Sequence, residues 1–145
     1  MTKESIAESC RSWVEQSARF RDVQRFGTCS GVIGSQSSEE TIWFIRSESG
    51  DFSSVSDFFV NAFIISEDGD WGVIEDELLD WKCLTPIGRR SALEAISRHQ
   101  VSLKLEIEQP EELVACHLLR ERWNDWILIC EGQSGFCFIR WSSTA

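Results

Sequence analysis

Apolar positions are densest between Trp123 and Trp141, where two short runs flank a polar turn. The runs are Ile127-Leu128-Ile129-Cys130 and Phe136-Cys137-Phe138-Ile139-Arg140-Trp141, and the turn is Glu131-Gly132-Gln133-Ser134-Gly135. β-Branched and aromatic residues around a glycine-bracketed turn predict a β-hairpin. With Gln133-Ser134 as the loop centre, Cys130 faces Cys137, Leu128 faces Ile139 and Trp126 faces Trp141. That face is wholly apolar. The opposite face carries Ile127, Ile129, Phe136 and Phe138, with only Glu131 and Arg140 at its ends. A hairpin apolar on both faces belongs in the middle of a sheet covered on both sides.

The remaining pattern predicts the other elements. Ile6, Cys10, Trp13, Val14, Ser17 and Phe20 recur at helical steps, so residues 3–25 read as one amphipathic helix ending at Gly27. A short strand over 29–34 and a clear one over 41–46 follow. The continuous apolar run from Phe58 to Ile65 reads as a buried strand, with 71–74 returning as another and 75–82 opening a short helix. Thr85-Pro86 is a cap followed by a first helical position, which predicts a second helix over about 86–99. Its Ile87, Leu93, Ala95 and Ile96 then face the sheet. Strict alternation from Val101 to Glu108 predicts a half-wetted strand. With 113–122 and the hairpin it completes a C-terminal four-strand meander. The expected fold is α+β, with a mainly antiparallel sheet, an N-terminal helix and a second helix near 86–99.

Length and composition fit one domain over residues 1–145 with a substantial core. No hydrophobic segment resembles a signal or a membrane span, so the expected location is the cytoplasm. Six cysteines include no C-x-x-C pair, and most lie within apolar runs. They read as buried free thiols rather than a disulfide or zinc framework.

Charge changes the picture more. Residues 39–80 hold twelve acids against the single base Arg46, while the rest of the chain has a net charge of +1. The excess of negative charge therefore belongs to one segment. A calcium loop that aligns Ser66, Asp68, Asp70, Val73 and Glu77 with its first, third, fifth, eighth and twelfth positions fails at Trp71, where the loop's sharp turn needs glycine. The predicted strand before it is a second objection. No phosphate loop, G-x-S-x-G or H-E-x-x-H motif is present, and His99 at a helix end has a helix-dipole explanation. No enzyme activity and no cofactor or metal are expected. The arginines of the first helix are interleaved with acids, and Arg89-Arg90 is a pair rather than a patch, so nucleic acid is not an expected partner.

The candidate contact surface is the acidic stretch with aromatic and apolar anchors: Asp68, Asp70, Trp71, Glu75, Asp76, Glu77, Asp80 and Trp81. Aromatic rings within a negative rim suit a basic protein partner and fast, steered association. The favoured function is an inhibitor of the immunity-protein or antitoxin kind that neutralises a basic toxin or nuclease. A small-ligand domain with an apolar cavity and an acidic secretion chaperone are the alternatives. Charge mimicry of nucleic acid would spread its acids along the chain, which this chain does not.

Overall fold

A computed structural model describes residues 3–30, 38–48, 50–70, 85–98, 113–122 and 125–143. In chain order these form α1 (Lys3–Arg11), α2 (Trp13–Gln16), a 3₁₀ turn (Ser17–Arg19), β1 (Asp22–Ser30), β2 (Ser38–Arg46), α3 (Val55–Ser66), β3 (Thr85–Ile87), α4 (Arg89–Arg98), β4 (Leu113–Arg122), β5 (Asp125–Gly132) and β6 (Phe136–Ser143). The six strands make one antiparallel sheet in the order β1-β2-β6-β5-β4-β3. The fold is α+β, as the pattern predicts. Among the described residues, no helix is long and apolar enough to cross a membrane.

The hairpin is central and has the predicted register: Trp126 pairs with Trp141, Leu128 with Ile139 and Cys130 with Cys137. The Gly132 amide donates to the Gly135 carbonyl at 2.8 Å to close the loop. Gly135 has φ +151, and a Cβ there would overlap the Ser47 carbonyl oxygen, so the position demands glycine. Two separate cores lie on the two sides of the sheet. On one, Trp43, Ile45, Ile127, Ile129 and Phe138 pack with α3, with Phe20 and Phe52, and with Ile6 and Cys10 of α1. On the other, Ile42, Phe44, Cys116, Trp126, Leu128, Cys130 and Ile139 pack with Ala92, Ala95 and Ile96 of α4. Helices cover both faces, which accounts for a hairpin with no polar side.

Three expectations are corrected. Residues 58–65 are not a strand but lie in α3, buried at every position from Phe58 to Ser66. Its start is written locally: the Ser54 hydroxyl accepts from the Asp57 amide at 3.1 Å, and the Ser53 amide and hydroxyl both donate to the Asp57 carboxylate. A helix buried all round has no polar stripe, so its periodicity resembles that of a buried strand.

The single helix over 3–25 is instead α1, α2 and a 3₁₀ turn, followed by β1, which carries Arg25 and Gly27 into the sheet. The Ser12 and Ser17 hydroxyls donate to the Glu8 and Val14 carbonyls, a local alternative to the helical ladder at the places where the helix breaks and ends. The second helix begins at Arg89, not Pro86, because Thr85–Ile87 is a strand paired with β4. Proline is acceptable in that outer strand, and the Gly88 carbonyl accepts the first helical bond, from the Ala92 amide. Strands predicted at 71–74 and 101–108, and the helix at 75–82, lie outside the described residues.

Candidate functional site

The acidic stretch begins where α3 ends. There the Asp68 amide donates to the Ile65 carbonyl and the Gly69 amide to the Ile64 carbonyl. This pair of bonds is a Schellman cap, with Asp68 in the left-handed position at φ +53. Gly69 follows at φ +73, and any Cβ there would run into the indole of Trp13. Trp13 packs on the α3-side core and backs the turn. The helix end is thereby fixed from two directions, and Asp68 and Asp70 are exposed on it.

Glu67 turns inward. It is ion-paired through Oε1 with Nη1 of Arg140, a residue 9% exposed on β6. Arg140 also makes a two-pronged bond to Asp125 of β5, at 3.1 Å from Nε to Oδ1 and 3.2 Å from Nη2 to Oδ2. Its Nη1 donates to the Ser66 hydroxyl at 3.0 Å, and its guanidinium lies 5.1 Å from the Phe63 ring centre. Burial disfavours the Arg140 charge, but the Asp125 and Glu67 carboxylates outweigh it and push its pKa above the ordinary value. The cation therefore persists at any physiological pH and bolts α3 to the central hairpin.

Glu67 and Asp125 are paired with Arg140, while Asp68 and Asp70 stand exposed just past the end of α3, where the helix dipole is itself negative. Cations belong there on dipole grounds, so two exposed carboxylates raise the negative field rather than relieve it.

Of the predicted contact residues, the structure brings together Asp68 and Asp70. Trp71, Glu75, Asp76, Glu77, Asp80 and Trp81 lie outside the described residues, as does His99. A helix, not the expected strand, precedes the loop tested for calcium. However, the Ser66 hydroxyl that would begin the ligand set donates to the Phe63 carbonyl at 2.8 Å and accepts from Arg140. The hydroxyl that would be the first ligand is thus already engaged by the Arg140 guanidinium. Among the described residues no group of three or more His, Cys, Asp or Glu is arranged to hold a metal.

Sequence reasoning missed Arg140, Asp125 and Trp13. One signal for Arg140 was available: a lone cation within Phe-Cys-Phe-Ile-Arg-Trp must be paired if that strand is buried. Searches of the chain against protein-family models, curated proteins and solved structures find no match.

Proposed function

We propose that the chain is a protein-binding inhibitor, of the immunity-protein or antitoxin kind, that neutralises a basic protein partner. The observation that carries this reading is the charge distribution, with a net of −11 confined to residues 39–80 of a chain that is otherwise nearly balanced. Such a segment repels itself and opposes compaction, and a complementary positive surface relieves that repulsion. Asp68 and Asp70 support it further. They stand exposed on a capped turn whose geometry is set before any encounter, so little ordering is needed on binding.

The contact surface under this reading runs from Asp68 and Asp70 through Trp71, Glu75, Asp76, Glu77, Asp80 and Trp81, with the two indoles as anchors. The small-ligand alternative receives no such support. Among the described residues, Ala92, Ala95 and Ile96 of α4 pack against the apolar face that carries Trp126 and Cys130.

Affinity capture from cells expressing the chain tests the reading. The expected partner is basic, is released as ionic strength rises, and is lost to a variant carrying Asp68→Lys, Asp70→Lys, Glu75→Lys and Asp80→Lys that unfolds at an unchanged or higher temperature. Co-expression should also relieve any growth inhibition that the partner causes. Capture of the same partner by the reversed variant with undiminished salt sensitivity would remove this segment from the interface.

A further inference from the structure

Three cysteines stand in a row across the middle of the sheet. Cys116 of β4 is directly opposite Cys130 of β5, which is directly opposite Cys137 of β6. All four described cysteines outside β1 (Cys10, Cys116, Cys130 and Cys137) are free thiols. We propose that Cys116 and Cys130 are an oxidation site, closing to a reversible disulfide when the protein meets a hydroperoxide.

The phase of the ladder selects this pair. Antiparallel neighbours alternate between hydrogen-bonded and non-hydrogen-bonded pairs. The Gly132-to-Gly135 bond makes that pair hydrogen-bonded, and two steps along the strands Cys130 and Cys137 are hydrogen-bonded as well. The Ser47 amide donating to the Phe136 carbonyl gives β6 the same phase from its other edge. Cys130 therefore directs its amide and carbonyl toward β6 and meets Cys116 across a non-hydrogen-bonded pair. In such pairs the Cα atoms approach to about 4.5 Å and side chains are closer. That lies within the roughly 4.4–6.8 Å range that a disulfide spans.

Environment and access point the same way. A hydrogen bond from Cys130 favours the Cys116 thiolate, burial opposes it, and the Arg89 guanidinium at the start of α4 adds to the favourable side. The net effect holds the thiol below its ordinary pKa. Cys10, by contrast, is pushed up by burial, with Arg11 opposing and Asp70 reinforcing the rise.

Cys116 and Cys130 are each 3% exposed, so reaction requires local opening of β4. That strand is lightly paired on its outer side among the described residues. Its outer neighbour β3 is only three residues long, Pro86 opposite His117 has no N–H to give, and register shifts interrupt the β4–β5 ladder on both sides of Cys116–Leu118.

The chemistry balances with peroxide as the named oxidant. The Cys116 thiolate attacks one peroxide oxygen, an S–O bond forms, the O–O bond breaks and hydroxide leaves. The Cys130 thiolate then attacks the sulfenic sulfur, the S–S bond forms, and the S–O bond breaks with loss of a second hydroxide. The two thiol protons convert both hydroxides to water. Two thiols have lost two electrons and one peroxide has gained them; a dithiol reverses the change.

Peptide mapping of the whole chain tests this. After hydrogen peroxide, quenching and alkylation under denaturing conditions, cleavage after Glu131 separates Cys130 from Cys137. The expected product joins the Cys116 and Cys130 peptides, is about 2 Da lighter than the two free thiol peptides, and disappears with dithiothreitol. It should accumulate before Cys10 is modified and should persist in Cys137→Ser. A linkage of Cys130 to Cys137, or free Cys116 under exposures that oxidise Cys10, overturns the proposal. In folded Cys130→Ser, dimedone should label Cys116, and failure to label it overturns the order of steps.

Discussion

Arg140 shows how one side chain can join three elements. Its guanidinium is shared by Asp125 of β5, Ser66 at the end of α3 and Glu67 just beyond it. Removing a buried cation leaves its carboxylates desolvated and unpaired, which typically costs about 3–5 kcal/mol. Arg140→Ala should lower unfolding free energy in urea by that order, and Arg140→Lys should recover only part because an ammonium cannot make the two-pronged bond. A loss below about 1 kcal/mol, typical of exposed pairs, would show that the network is solvated.

The two shifted thiols give a second residue-scale prediction. Cys10, raised in the folded state, contributes stability that is present below the ordinary thiol pKa and lost as pH rises past it. Cys116, lowered, contributes stability that is full above the ordinary value and lost as pH falls through its folded pKa. In urea titrations across about pH 7 to 10, bracketing the ordinary thiol pKa near 8.5, Cys10→Ala should flatten the alkaline decline and Cys116→Ala should steepen it.

At the scale of elements, the end of α3 trades stability for displayed charge. Asp68 sits in a left-handed position that glycine adopts freely, and at a helix end where a negative charge is unfavourable. Asp68→Gly should raise the unfolding free energy by about 0.5–1 kcal/mol while slowing association with a basic partner. Gly69→Ala, one residue on, should destabilise because of the Trp13 contact. A substitution that improves folding while impairing binding is the signature expected of a residue retained for its surface role.

The same element shows what a sequence does and does not reveal. The hairpin register was legible because turn chemistry and two-residue alternation fix it locally, residue by residue from Gly132 to Trp126. α3 was not, because burial on all sides erased the stripe that distinguishes helix from strand, although Ser54 and Asp57 spelled its cap. The break at Ser12 and the strand start at Asp22 were hidden by an apolar spacing that continued at helical steps through Phe20. The Asp68 and Asp70 corner was legible as charge but not as geometry. The cation beneath it comes from a strand more than seventy residues away, a separation no local pattern encodes.

For the whole molecule, charge asymmetry should appear in salt dependence. Replacing Asp68 and Asp70 by Lys removes like-charge repulsion at the negative end of α3. The melting temperature should rise at low salt, and the gain should shrink as ionic strength approaches about 1 M, where the Debye length falls to roughly 3 Å. A gain independent of salt would overturn this electrostatic account, since lysine fits the left-handed position less well than aspartate.

The strand order carries a consequence for how the chain is made. β6 sits between β2 and β5, yet it follows every other described element in the sequence. During synthesis, β1, β2 and α3 leave the ribosome with Ile45, Phe58, Phe59 and Phe63 ready to pack, but the strand that completes their sheet is still untranslated. Pairing Ile42 with Trp141 closes a loop of about two thirds of the chain, and such long-range pairing slows folding. At roughly 5–20 residues per second, the nascent N-terminal half spends several seconds with an unsatisfied sheet edge and an uncovered aromatic surface. Chaperone engagement should therefore peak before residues 136–143 emerge, and ribosome-stalled chains ending near residue 122 should crosslink to chaperones more strongly than chains in which β6 is free.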